Sequence, residues 1–208
     1  MKKVKDYYFQ KAKAQGYVAR SIYKLEEINQ KHRIIKPGNR VVDLGCYPGS
    51  WMQYINQAVG NSGLVVGVDL NEITIPLKKN MIFLQSDIGE LDIDSLGQYA
   101  NIFDVICSDM APKTTGTKSI DAERSYQLCQ MAELVAQKWL ITGGNLVVKI
   151  FQGAPMDRLI AELKENYQTV KRFKPKSSRN ESVEIFVLGL GKNKNKGYHD
   201  NNFMCQKR

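Results

Sequence analysis

The sequence predicts an α/β fold: a doubly wound, mostly parallel sheet of seven strands with one antiparallel member, preceded by basic helices. Three observations carry the prediction. Short apolar runs alternate with helix-length amphipathic stretches through most of the chain. The first such run, Val41–Leu44, enters a turn built on Gly45, Pro48 and Gly49 and then a helix, the arrangement found at the carboxyl edge of a parallel sheet. Near the end two strand patterns follow each other with no helix between them, as a hairpin with one antiparallel strand requires.

Taken in order, Asp6 to about Gln15 reads as a helix that Gly16 breaks. A second helix is expected from Val18 to Lys31, with Ile22, Leu25 and Ile28 on one face. Lys2, Lys3, Lys5, Lys11, Lys13, Arg20, Lys24, Lys31 and Arg33 crowd residues 1–33, and Tyr7, Tyr8, Phe9, Tyr17 and Tyr23 stand among them. Aromatics beside cations suit contact with an unpaired or distorted nucleic acid; the alternative is a solvated cap whose tyrosines pack on the domain.

After the turn at Lys36–Asn39 come strand Val41–Leu44, helix Trp51–Val59, strand Leu64–Val68 ending in Asp69, and strand Met81–Leu84 ending before Asp87. Strand Phe103–Cys107 ends at Ser108-Asp109. A long helix follows from Ala122 to Leu140, with apolar Leu128, Met131, Leu134 and Val135 and a Gly143-Gly144 cap. Strand Asn145–Ile150 carries Lys149, and Met156, Leu159, Ile160 and Leu163 mark one face of the next helix. Thr169–Phe173 and Val183–Leu190 close the sheet, and residues 191–208 read as a loose polar tail. The expected division is therefore a basic helical extension (1–33) on the nucleic-acid face, a catalytic domain (34–190) and the tail.

The chain has 208 residues and a net charge of +9, a large excess that points to a polyanionic partner. No apolar run approaches a membrane span, and charges without an apolar stretch behind them open the chain, so a cytoplasmic protein is expected. Cys46, Cys107, Cys129 and Cys205 lack metal-ligand spacing, so no metal is expected; Cys107 and Cys129 read as buried free thiols.

Four acids sit at or just past strand ends: Asp43, Asp69, Asp87 and Asp109. A carboxylate after the second strand, as Asp69 is, can accept both hydroxyls of a ribose. Asp43 serves either the ligand or the turn itself. The glycines are too few and too widely spaced for a pyrophosphate cradle, and Pro48 lacks an N–H. A nucleoside with a cationic or zwitterionic tail fits better, which disfavours a nicotinamide oxidoreductase.

Asp43-Leu-Gly-Cys-Tyr-Pro-Gly49 resembles the first motif of class I S-adenosylmethionine-dependent methyltransferases. Pro-Gly-Ser-Trp51, Ser108-Asp-Met-Ala-Pro112 and Val147-Val-Lys-Ile-Phe-Gln-Gly153 resemble the FtsJ/RrmJ family of RNA ribose 2′-O-methyltransferases. So do Tyr23-Lys24-Leu25 and Lys174-Pro-Lys-Ser-Ser-Arg179 followed by Glu184. The resemblance implies a Rossmann-like class I fold and a catalytic set of Lys24, Asp109, Lys149 and Glu184, with Lys149 central. It implies S-adenosylmethionine contacts at Gly49, Trp51, Asp69, Asp87 and Asp109. Ser50 and the Cys46-Tyr47 pair depart from the smaller residues of the bacterial members. Glu181 competes with Glu184 for the last catalytic position, but a strand from Val183 puts Glu184 and Phe186 on one sheet face and leaves Glu181 in the loop.

As a base, Lys149 needs a pKa well below the usual value of about 10.4. Burial and a cation such as Lys24 push it down, while Asp109 and Glu184 act the other way. The alternative is a cation that steers a ribose hydroxyl and stabilises developing negative charge. The resemblance implies a monomeric enzyme acting on a uridine of large-subunit (23S) ribosomal RNA, within the large ribosomal subunit. The rivals are methylation of tRNA or another RNA, and a non-catalytic RNA-binding module. Lys113, Lys118, Lys171, Arg172, Lys174, Lys176 and Arg179 extend the basic surface.

Overall fold

A computed structural model describes residues 2–179 and 181–194; Met1, Cys205 and the tail from residue 195 lie outside the described residues. Two helices come first, α1 (Lys2–Ala14) and α2 (Ile22–His32). The alternating region runs β1 (Arg40–Leu44), α3 (Ser50–Val59), β2 (Leu64–Asp69), β3 (Met81–Gln85), β4 (Phe103–Ser108), α4 (Lys118–Trp139), β5 (Leu140–Phe151), α5 (Ala154–Asn166), β6 (Tyr167–Phe173) and β7 (Glu184–Lys192). A short 3-10 helix at Ile93–Gln98, absent from the sequence reading, joins β3 to β4. β7 continues two residues into the stretch read as tail.

The sheet has seven strands in the order β3-β2-β1-β4-β5-β7-β6. β7 alone runs antiparallel, and it is paired on both sides, to β5 and to β6. The strand order reverses between β1 and β4, which opens a crevice at their carboxyl ends. Alternation along the strands sorts side chains into two cores. Leu146, Val148, Ile150 and Val187 face α4 and α5, whereas Val147, Phe186 and Leu188 face α2 and α3. Lys149, two residues after Val147, therefore lies on the α2–α3 face.

Three local expectations yield to tertiary contacts. α2 begins at Ile22 rather than Val18, because α3 holds the preceding segment open. Gln53 accepts from the Val18 N–H (3.0 Å) and donates to the Gly16 carbonyl (3.0 Å). Gly143-Gly144 does not cap α4. The pair lies inside β5, where the register with β4 shifts between Phe103–Leu140 and Val105–Asn145 pairing, a bulge that glycine suits. The cap comes from Lys192 of β7, whose buried ammonium donates to the carbonyls of Ala136 (2.8 Å), Gln137 (2.7 Å) and Leu140 (3.1 Å). Finally, α4 buries Ala122, Tyr126, Cys129, Ala132, Val135 and Ala136 and leaves Leu134 exposed.

The aromatics of the basic extension divide. Tyr23 is buried and donates to Gln15 (2.8 Å), Tyr17 donates to Gln57 (2.6 Å), and Tyr8 packs on Tyr23. Tyr7 and Phe9 stay exposed. Cys46, Cys107 and Cys129 are buried free thiols. No helix among the described residues is long and apolar enough to cross a membrane.

Candidate active site

Two lysines and two carboxylates meet beyond the carboxyl ends of β4 and β5. Lys149 Nζ lies 3.0 Å from Asp109 Oδ1 and 3.4 Å from Glu184 Oε1. Lys24 Nζ lies 3.0 Å from Glu184 Oε2 and 3.6 Å from Asp109 Oδ1. Cations and anions thus alternate around a ring drawn from α2, β5, β7 and the loop after β4. Asp109 Oδ1 sits off the hydrogen-bonding direction, so its contacts are ionic. The Asp109 backbone carbonyl also accepts from Lys149 (2.5 Å). Three oxygens therefore lie around the Lys149 amine, the Asp109 carbonyl by a hydrogen bond and the two carboxylates at ion-pair distance.

Burial sets the electrostatic strength of this ring. Lys149 is 5% exposed, and the side chains of Lys24 and Asp109 are 15% exposed. Burial pushes Lys24 down, but Asp109 and Glu184 outweigh it and hold its pKa above the usual lysine value. Burial likewise pushes Glu184 up, but Lys149 and Lys24 together bring it down to about 2. A carboxyl depressed in the folded state adds stability above its unfolded pKa, near 4.5, and that contribution disappears as pH falls toward 2. Glu184→Gln should therefore flatten the loss of stability between these pH values, read as urea midpoints against pH. An unchanged acid slope would refute the ion-pair account of Glu184.

The sheet dictates which acid joins the ring. Glu184 opens β7 opposite Phe151, and Phe186 beside it pairs with Lys149 and packs on Trp51 at 5.8 Å between ring centroids. Glu181 is exposed in the loop before the strand and makes no ion pair with either lysine. Lys174, read from sequence only as basic surface, donates to the carbonyls of Ser182 and Glu184 and so fixes the start of β7.

The other predicted residues follow the sheet order. Asp87 (just past β3), Asp69 (β2), Asp43 (β1) and Asp109 (after β4) lie at the carboxyl ends of four adjacent strands. Asp69 accepts from the amides of Tyr47 (2.9 Å) and Asn71 (2.8 Å), which anchors the glycine turn while leaving acceptor capacity on the carboxylate. Asp87 is exposed and accepts from the Gly89 N–H (2.8 Å). Asp43 is fully buried, and neither oxygen has a hydrogen-bond partner among the described residues. Burial, with Asp109 and Asp69 nearby, pushes its pKa well above the carboxylate range. It therefore does not brace the turn through hydrogen bonds.

Two glycines make the turn possible. Gly45 has φ +77°, and a Cβ there would come within 2.5 Å of Met110 Cγ. Its absence lets the loop carrying Asp109 close against the turn. Gly49, at φ +113°, leads into α3, where a Cβ would meet Ile75 at 2.8 Å. Trp51 lies in the first turn of α3. It is buried, its indole N–H donates to the Ser21 carbonyl (2.9 Å), and it locks α3 to α2. Its backbone amide, in the first turn of α3, has no carbonyl four residues back within the helix. Among the described residues, no group of three His, Cys, Asp or Glu side chains is arranged to hold a metal.

Comparison with known proteins gives a consistent result. The pattern of one protein family, described as FtsJ-like methyltransferase, matches residues 17–192. A relative from Desulfatibacillum aliphaticivorans named ribosomal RNA large subunit methyltransferase E is 46% identical over 188 residues, covering 90% of this chain and 91% of the relative. One of the same name from Bdellovibrio bacteriovorus is 44% identical, covering 90% of this chain and 97% of its own. A crystal structure described as a ribosomal RNA methyltransferase from Plasmodium falciparum superposes with a TM-score of 0.74 at 30% identity, covering 85% of this chain and 98% of that one. A fibrillarin/Nop5p complex, with a TM-score of 0.58 at 17% identity over 79% of this chain and 78% of that one, shares the fold.

Proposed function

The chain belongs to the FtsJ-like methyltransferase family, and from that premise we propose that it methylates the ribose 2′-hydroxyl of a uridine in large-subunit (23S) ribosomal RNA. The observation that carries the chemistry is the alternating ring of Lys24, Asp109, Lys149 and Glu184. The acceptor is proposed from the relatives' shared name. The substrate would be met within the large subunit, in the cytoplasm. Every member of the ring comes from one chain, which supports a monomeric enzyme.

The crevice suits S-adenosylmethionine. An arc of carboxylates fits a nucleoside with a cationic tail, and the Asp43 carboxyl leaves polar capacity beneath the turn that no group among the described residues uses. Asp69 is proposed to accept the ribose hydroxyls, Asp87 to border the base, and Asp109 to meet the charged tail. Gly49 and the Trp51 amide would lie along the backbone edge of the site. S-adenosylmethionine supplies a methyl group on a positively charged sulfur.

A ribose hydroxyl is a weak acid and a poor nucleophile, so alignment of its oxygen with the transferred methyl is the main requirement. Lys149 is proposed to hold that oxygen and stabilise the negative charge that grows as its proton leaves. Asp109 and Glu184 fix the direction of the Lys149 amine, and Lys24 balances their charge. The test is incubation with methyl-labelled donor and free ribosomal RNA, large subunits or tRNA, followed by nuclease mapping. A 2′-O-methyluridine in the large-subunit RNA is expected. A methylated base, or label confined to tRNA, would refute the assignment.

A further inference from the structure

Asp69, at the end of β2, is flanked by two large side chains that face solvent. Tyr47, whose amide it binds, is 51% exposed, and Leu70, the next residue in the chain, is 61% exposed. Other tyrosines are tied down. The hydroxyls of Tyr17, Tyr23, Tyr126 and Tyr167 donate to side chains, and that of Tyr54 accepts from Asn29. The Tyr47 side chain has no hydrogen-bond or ring partner among the described residues.

The backbone beneath that ring is, by contrast, fixed on both sides. The Tyr47 N–H donates to Asp69 Oδ2 (2.9 Å), and the Pro48 carbonyl accepts from the amide (3.1 Å) and the hydroxyl (3.2 Å) of Thr74. The Gly45 and Cys46 amides donate to the Val68 carbonyl (2.8 and 3.2 Å), and the Gly49 amide donates to Cys46 (2.7 Å). An aromatic ring on so constrained a turn has only two side-chain torsions to lose when it meets a ligand. Its place is also set. An N–H bond of 2.9 Å keeps the Tyr47 Cα within about 4.4 Å of Asp69 Oδ2. Whatever Asp69 holds therefore lies within a side chain's length of the ring.

A single exposed apolar group is ordinary on a protein surface. Two of them on either side of a carboxylate with spare acceptor capacity have the composition of a small-ligand site, apolar walls with a few polar anchors. Tyr47 is also a position where the chain departs from the smaller residues of its family, so the resemblance gives it no role.

We propose that Tyr47 is a further donor-binding residue, whose ring lies along the ribose of S-adenosylmethionine held at Asp69 and closes the outer side of the crevice. The inference rests on the placement of the donor ribose at Asp69. The ring meets the part of the donor that the demethylated product, S-adenosylhomocysteine, retains. It therefore slows the release of donor and product alike and takes no part in methyl transfer itself.

The test compares Tyr47→Ala, Tyr47→Phe and Asp69→Ala with wild type. It measures calorimetric affinity for S-adenosylmethionine and for S-adenosylhomocysteine, affinity for large-subunit RNA, and melting temperature. Tyr47→Ala should weaken both small ligands by roughly 5- to 30-fold, the worth of about half an aromatic side chain taken out of water. Tyr47→Phe should bind both as wild type does, because packing and not the hydroxyl is invoked. Both Tyr47 variants should melt within about 2 °C of wild type, since the ring has no internal partner to lose. Wild-type affinity of Tyr47→Ala for both ligands would overturn the proposal while leaving the donor site intact. So would weaker RNA binding by Tyr47→Ala with donor affinity unchanged, which would give the ring to the RNA. A loss confined to S-adenosylmethionine would refute contact at the ribose. Wild-type donor affinity in Asp69→Ala would remove the ribose placement and this inference with it.

Discussion

Lys149→Met is expected to lower methyl transfer by roughly 10²- to 10⁴-fold, the range for loss of a positioned proton-transfer group or a charge-stabilising donor. Donor affinity should remain, because the carboxylates and glycine turn that line the crevice at β1, β2 and β3 stand apart from the lysine. The side chain is 4% exposed, so an apolar replacement of similar length keeps the packing. It leaves Asp109 and Glu184 facing Lys24 alone, and some loss of stability should accompany the loss of activity. Single-turnover transfer with labelled donor, calorimetric donor binding and a melting curve separate these effects. Transfer at the wild-type rate would show that the ring is structural.

Lys192→Met should be the most damaging substitution away from the site. Lys192 is 3% exposed and donates to three carbonyls at the end of α4. Methionine fills the volume but removes all three of the lysine's donations, while the Ala136 carbonyl keeps the Leu140 N–H. Charge-assisted bonds of this kind contribute about 1.5–3 kcal/mol each, so a loss of roughly 3–5 kcal/mol is expected once neighbours relax. For a chain of this size that corresponds to a fall of about 10 °C in melting temperature. Substitution at the exposed neighbour Lys194 should have little effect. A Lys192→Met protein melting within about 2 °C of wild type would mean that the α4 carbonyls find other partners.

Much of this architecture is legible from local pattern. The strands are apolar runs with turn residues at their ends, and the parity of Glu184 and Phe186 follows from the two-residue repeat of a strand. Catalytic candidates could be named because their motifs resemble a family's, and the structure brings Lys24, Asp109, Lys149 and Glu184 together. What could not be read depended on partners distant in sequence. Nothing near Trp51 announces that its indole will bond the Ser21 carbonyl, thirty residues back. Gly143-Gly144 has the composition of a helix cap, but the cap is a lysine on the last strand, and the glycines serve a bulge instead. The tyrosines of the basic extension look alike in sequence, yet Tyr23, bonded to Gln15, is buried, Tyr17, bonded to Gln57, is half-buried, and Tyr7 stays at the surface.

The position of β7 has a consequence for how the molecule comes into being. It follows β6 in the chain but inserts between β5 and β6, so the sheet stays open until this strand arrives. The same strand brings Glu184 to the ring and Lys192 to the end of α4. Its pairing with β6 is a hairpin between neighbours in sequence, whereas its pairing with β5, from Phe151–Glu184 to Asn145–Leu190, is long-range and costs more chain entropy to close. A chain interrupted or cleaved before β7 therefore loses the Glu184 carboxylate of the ring, the Lys192 cap of α4 and one interior strand together. A chain cut before β7 is therefore expected to lose methyl transfer and stability together rather than one after the other.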